Sequence, residues 1–319
     1  MVRQVVFEKT GEIPEQSGFS VVSQFVSGNG DGLILYVEND GSEKVNETFE
    51  SGIGVFPKTQ MSDSQKFRLL TLSDGSQKVV DLPALNVTFP FVDVFPDGRV
   101  LVAGSRSRWR GSDDFDLNGI VVDAAAGSQR SFLLGDGIET LAVDLRGRIW
   151  VSYFDEGIFG NFGWGHPGPA PIGSSGLNCF SDSGDLLWSF PVESEMGPIS
   201  DCYAMNVSGD RVAVYAYTEF NVWRISERFE TECFKTDLQG CHHFAMSDSH
   251  IVFTGQYDDE ISVGYVGRLS DGRVCDVEQM EFALPRGREI KAGQFVGRAD
   301  MLHFFDESNW YSIHIDAVA

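Results

Sequence analysis

Between Phe154 and Ser175 the chain gathers two carboxylates (Asp155, Glu156), an amide (Asn161), aromatic rings (Phe159, Phe162, Trp164), His166 and many glycines. Aromatic faces beside polar groups suit a sugar ring or another flat organic ligand. Glycine lets such a segment fold tightly on itself or approach a ligand closely. The competing reading is a compact loop that buries its own rings. A second stretch, Arg106, Arg108, Trp109 and Arg110, is a basic knot in an acidic chain. Alternate arginines on an extended loop can hold a carboxylate or phosphate in bidentate fashion, or they can neutralise the adjacent Asp113, Asp114 and Asp116. Arg106, Arg108, Trp109, Asp155, Glu156, Asn161, Trp164 and His166 are therefore the candidate ligand-binding residues.

His242 and His243 are adjacent at the start of an apolar run, so one points to each side of a strand. Either can serve as a general base, which makes the pair the candidate catalytic residues; a histidine bonded only to backbone or water is the plainer alternative. Carboxylates recur at corresponding places: Asp93, Glu139, Asp201, Asp258, Asp259, Glu260, Asp306 and Glu307. Oxygen donors of this kind suit Ca²⁺ or Mg²⁺, and Asp93, Glu139 and Asp201 are the candidate metal ligands; a run such as Asp258 to Glu260 also reads as a solvated loop. No nucleophile elbow, P-loop, HExxH or dinucleotide fingerprint is present.

These residues sit on a repeat. The unit "apolar run, Gly- or Asp-bearing turn, apolar run" appears as NGDGLILYV, FPDGRVLVA, DLRGRIWVS, NVSGDRVAVYA, MSDSHIVFTG and VGRADMLHFF. The spacing averages roughly fifty residues, the length of a four-stranded unit. Downstream of each lies a second strand–turn–strand signature, for example KFRLLTLSDGSQKVVDLP and NGIVVDAAAGSQRSFLLG. The pattern predicts an all-β fold, a six-bladed β-propeller occupying 1–319 as a single domain, with blades near 17–86, 87–137, 138–196, 197–239, 240–286 and 287–319. The last copy is one strand short, and VRQVVFEK at the start of the chain supplies it, closing the ring and removing two exposed sheet edges. A seventh blade from residues 38–66 is the alternative count.

Two blades are oversized. The first carries a polar, acidic insertion from Glu38 to Gln65, read as largely mobile, and the third carries the Phe154–Ser175 segment. Both fall between strands B and C, counted from the inside. B–C loops and the links between blades share one face of such a disk, so the candidate residues are expected around one mouth of the central channel.

The stretch GDGIETLAVDLRGRIWVSYFDEG resembles one unit of the six-bladed senescence-marker-30/gluconolactonase group and the streptogramin lyases, through Asp144, Gly147, Ile149, Trp150 and Val151. FVDVFPDGRVLVA, with Asp97 and Gly98, is a looser copy. The resemblance implies a propeller. Its lactonase side implies a divalent metal at the channel mouth, held by Glu, Asn and Asp and activating water on an ester, with the leading Asp of the motif mapped to Asp136. The family's E-G-P-x-W and N-G-x-x-x-S-P-D ligand motifs are absent from this chain.

Composition narrows the partners. A formal net charge of −23 repels phosphate backbones and anionic lipid heads, which argues against nucleic acid and membrane. Five cysteines without CxxC spacing give no disulfide framework or zinc knuckle. The first residues lack an apolar h-region, and no run approaches a membrane span, so a soluble cytoplasmic protein is expected. Three functional readings follow, the plainest being a scaffold without a site of its own, such as a subunit of a larger complex; the other two place function on the loops. One is a propeller that binds a small-molecule ligand or protein partner on its loop-rich face. The other is a metal-dependent, lactonase-like hydrolase or lyase acting on a small polar organic substrate.

Overall fold

The computed structural model describes residues 2–52, 54–192, 197–257 and 260–318. The fold is a six-bladed β-propeller. Its blades are four-stranded antiparallel sheets, and the fifth carries two further short strands. The chain divides into two compact units, Glu15–Asp201 and Met1–Pro14 with Cys202–Ala319.

In the Glu15–Asp201 unit the first sheet comprises Phe19–Val26, Gly32–Glu38, Gln65–Ser73 and Ser76–Leu85. The second comprises Pro90–Val94, Val100–Gly104, Gly119–Asp123 and Ser128–Phe132. The third comprises Ile138–Val143, Ile149–Tyr153, Leu177–Phe180 and Leu186–Ser189. Second strands such as Val100–Gly104 and Ile149–Tyr153 are buried at every position because both faces pack on apolar side chains. The first sheet's insertion builds no seventh blade among the described residues, and it is not the structureless segment its polarity suggests. It forms two 3₁₀ turns and a hairpin of Thr48–Ser51 with Gly54–Pro57. Its Val45 and Met61 sink into the cluster that holds Leu35, Phe67 and Val102, and that burial orders the segment.

The resemblance motif of the third sheet is a turn device. The Asp144 carboxylate accepts the amides of Arg146 and Arg148 at 2.9 Å each, Arg148 Nε at 2.6 Å and Trp150 Nε1 at 3.0 Å. Gly147 takes φ +76°, which the tight turn requires. Ser181 performs the same capping one hairpin later, accepting the amides of Ser183 and Asp185 at 3.1 Å each.

In the other unit the fourth sheet runs Asp201–Ser208, Arg211–Tyr217, Asn221–Ile225 and Thr231–Phe234. The fifth runs His243–Met246, His250–Thr254, Val263–Ser270 and Arg273–Leu284. The sixth takes Gln294–Arg298, Met301–Phe305 and Asn309–His314 from the end of the chain and Glu8–Glu12 from its start. The N-terminal strand thus completes the last blade as the repeat predicts, but with a different segment. Arg3–Val6 lies parallel on the outer strand of the fifth sheet, with Val5 opposite Phe282, and Glu8–Glu12 forms the antiparallel edge of the sixth, Lys9 opposite Tyr311. The reason is Phe7. Its ring lies 5.3 Å from Phe282 of the fifth sheet and 6.1 and 6.3 Å from Phe295 and Phe304 of the sixth, and it is 1% exposed. Burying it between the two sheets divides the N-terminal segment between their edges.

Among the described residues no helix is long and apolar enough to cross a membrane. Cys179, Cys202 and Cys241 are buried and Cys233 and Cys275 half-buried, all as free thiols.

Replacing Phe7 by Ala empties the joint between the fifth and sixth sheets and should cost about 3–5 kcal/mol of unfolding free energy. Exposed Val2→Ala should change it by no more than about 0.5 kcal/mol. Urea unfolding followed by circular dichroism reads both.

Candidate functional site

The second sheet's Ser105–Asn118 loop and the third sheet's Phe154–Gly176 segment lie at the same end of the Glu15–Asp201 unit. One buried cation holds them together. The Arg106 side chain is 5% exposed, and its Nη2 donates to Asp136 Oδ2 at 3.0 Å and to Glu156 Oε2 at 2.6 Å. Asp136 lies on the link between the sheets, and its other oxygen accepts the Ser107 amide at 2.8 Å. Glu156 lies on a short helix, Asp155–Phe159. That helix packs so closely on the link that a Cβ on Gly157 would strike the Asp136 carbonyl. Three segments distant in sequence therefore share one guanidinium.

The rest of the basic knot follows the same logic. The Arg110 guanidinium donates to Asp114 at 2.8 Å and to buried Asp116 at 2.7 Å. Asp116 also accepts the Arg108 amide at 3.0 Å. Neutralisation, one of the two sequence readings, thus holds for Arg106 and Arg110. The Arg106 and Arg108 guanidinium carbons lie 4.7 and 5.1 Å from the centroid of the Phe162 ring. Phe162 has φ +46°, rare for a bulky residue. Asn161 Oδ1 accepts the Phe162 amide at 2.8 Å, and the Phe162 carbonyl accepts the Trp109 amide at 3.0 Å.

Trp164 is buried, and its Nε1 donates to the Ser107 carbonyl at 3.0 Å. Its ring lies 6.5 Å from that of Phe115. With Trp109, Leu133, Pro167 and Pro169 these rings line a groove of about 590 Å³. His166 is exposed beside it in sequence. Sequence reasoning placed Trp109 and Trp164 here but passed over Phe115, Leu133 and the two prolines. The available signal was apolar residues in a loop, outside any strand alternation.

Glu139 and Asp201, two of the three candidate metal ligands, interact. Burial, with repulsion from Asp201, pushes Glu139 up to about 7; burial, with repulsion from exposed Asp155, pushes Asp201 up to about 6. Asp93 does not join them. It is fully buried, and its oxygens accept the amides of Val94 and Val143, both at 2.7 Å, tying the second sheet to the third. Asp136 is also raised, to about 6, because burial outweighs the pull of Arg106. Asp306 is committed as well: Oδ1 accepts the amides of Ser308 and Asn309, and Oδ2 accepts the Tyr311 hydroxyl at 3.1 Å. Asp258 and Asp259 lie outside the described residues. Among the described residues no three His, Cys, Asp or Glu side chains converge as a group able to hold a metal ion. The candidate ligands Asp93, Glu139 and Asp201 thus do not form such a group.

The two histidines belong to the other unit. Exposed His242 stacks on Tyr203, ring centroids 5.0 Å apart, and meets Tyr257 edge-on at 6.0 Å. His243 lies 6.2 Å from Phe295. Partial burial of its ring lowers His242, and burial, with a smaller contribution from His242, brings His243 down to about 4, so His243 is neutral and a weak base at neutral pH.

No protein-family model matches the chain, and neither does any curated protein sequence. Solved structures do. Virginiamycin B lyase from Staphylococcus aureus is similar at 13% identity and a TM-score of 0.48, over 96% of this chain and 99% of that one. The β-propeller domain of Cps50 (Swd1) from Myceliophteria thermophila is similar at 13% identity and 0.45, over 96% and 99%. Acylaminoacyl peptidase from Pyrococcus horikoshii is similar at 14% identity and 0.45, over 92% of this chain and 44% of that one. Likeness this distant shows a shared fold and carries no activity to this chain.

Arg106→Gln leaves Asp136 buried without its cation and should lower stability by about 3–5 kcal/mol at neutral pH, read by urea unfolding. Glu139 titrates higher folded than unfolded. Between about pH 4.5 and 7 the folded state holds a proton that the unfolded state has lost, so its contribution to stability falls as pH rises. Glu139→Gln should therefore flatten the pH–stability curve across that window and be more stable than the parent at pH 8. Unfolding midpoints measured across the window decide this; an unchanged slope rejects the buried-carboxylate account.

Proposed function

We propose that this propeller is a binding module that takes a small organic ligand on the loop-bearing end of its second and third sheets. The observation that carries the reading is the groove lined by Trp109, Phe115, Leu133, Trp164, Pro167 and Pro169. At about 590 Å³ it falls in the size range of small-molecule sites, and its lining is the usual one, aromatic and apolar with few polar groups. Its walls are preorganised. Trp164 is held by the Ser107 carbonyl, and the segment carrying it is held by Arg106 through Glu156. A rigid aromatic wall binds a flat ring without an ordering cost at the moment of contact. Half-buried Trp109 offers the accessible face and Trp164 the fixed one. The metal-dependent hydrolase or lyase reading draws less support, since the described residues hold no group of three or more His, Cys, Asp or Glu side chains able to hold a metal ion.

Incorporation of 5-fluorotryptophan gives each indole its own ¹⁹F resonance. Neutral aromatic fragments such as benzyl alcohol should shift the Trp109 and Trp164 signals saturably, with the other tryptophans unmoved. Trp109→Ala should weaken that binding at least tenfold, about 1.4 kcal/mol. Fragments that leave both resonances in place would reject the groove as the site.

A further inference from the structure

We infer that the ligand taken up at this end of the molecule carries an oxyanion, a carboxylate or a phosphate, and that Arg108 is its anchor. The inference rests on the binding reading above and adds the ligand's chemical class.

The fold treats the three arginines of the 105–118 loop differently. Arg106 is neutralised by Asp136 and Glu156, and Arg110 by Asp114 and Asp116. Arg108, between them, meets no carboxylate among the described residues. The buried Nε of both Arg106 and Arg108 lacks a hydrogen-bond partner, but only Arg108 also lacks a carboxylate, although acidic residues outnumber basic ones 47 to 24 in this chain. The neighbouring carboxylates are committed elsewhere: Asp116 accepts from Arg110 and from the Arg108 amide, and Asp136 and Glu156 accept from Arg106.

The position of Arg108 is nonetheless defined. Its amide is held by Asp116, and its carbonyl accepts the Asp116 amide at 3.0 Å. Its guanidinium lies 5.1 Å from the centroid of Phe162, a ring whose backbone is kept at positive φ by Asn161 and by the Trp109 amide. Stacking occupies the face of a guanidinium, and with Nε buried the edge left is that of the two terminal nitrogens, which matches a carboxylate or phosphate through two parallel N–H···O bonds. The half-buried setting lowers the local dielectric and strengthens such a pair relative to water. The link to the groove is Phe162: Arg108 stacks on its ring, and the Phe162 carbonyl accepts the amide of Trp109, which lines the groove.

The test uses the full chain, ¹⁵N-labelled, with the Arg108 Nε–Hε resonance followed in separate titrations of inorganic phosphate and sodium benzoate. At least one should shift it saturably, and the stronger arm identifies the oxyanion as phosphate or carboxylate. Arg108→Gln and Arg108→Lys should each weaken binding at least tenfold, the lysine variant because it keeps the charge and loses the fork. Arg130→Gln, which removes the same charge from the outer strand of the second sheet, should stay within twofold of the parent. The anchor is overturned if neither anion shifts the resonance saturably, if the lysine variant binds like the parent, or if Arg130→Gln weakens binding as much as Arg108→Gln. Benzyl alcohol, read at the fluorinated Trp109, separates the two levels. If it still binds while both anions fail, the groove stands and the anchor falls; if it fails as well, the binding reading itself has failed.

Discussion

The loop-bearing end of the second and third sheets depends on a single buried cation. Arg106 lies in a site where an unpaired charge would cost several kcal/mol, so it must be matched, and two carboxylates from different segments match it. The requirement is geometric as well as electrostatic. Asp136 must be on the link and Glu156 on the short helix, both within hydrogen-bond reach of one nitrogen. Meeting that condition brings the 154–176 segment onto the 105–118 loop, where Phe162, Trp164 and Trp109 take their places.

The scaffold beneath it relies on a different economy. Its hairpin turns are closed by short side chains that accept two backbone amides each, aspartate at 144 and 306 and serine at 181 and 226. Asp144 additionally takes the Trp150 indole, which fixes a large ring in the core of the third sheet. The residues that carry the resemblance to propeller hydrolases and lyases are thus turn and core residues. They recur because sheets of this size need such turns, which is why they signal architecture and carry no activity.

The carboxylates follow a similar division. Asp93 and Asp306 look like metal ligands in sequence, yet each is spent on backbone amides. Glu139 and Asp201 are not spent in that way; burial raises both, with repulsion from Asp201 at Glu139 and from Asp155 at Asp201. Which carboxylates stay available depends on whether an amide donor lies within reach, a property of the folded backbone.

Much of the fold was legible because its signals are local. Strand alternation, turn residues and a repeat near fifty residues locate six blades, and the shortfall in the last copy calls for a strand from the other end. The exchange between Arg3–Val6 and Glu8–Glu12 was not legible, because it is set by the fit of Phe7 between two sheets and not by strand propensity. The same contrast holds at the site. Residue types in the chain mark Arg106, Arg108 and Arg110 as one basic cluster. Tertiary structure separates a buried joint, a solvent-side ion pair and a stacked guanidinium that meets no carboxylate, because the acids that neutralise Arg106 lie 30 and 50 residues away in sequence. Periodicity in sequence determines where strands and loops fall; which charges remain available to a ligand is decided only when distant segments are brought within a few ångströms of one another.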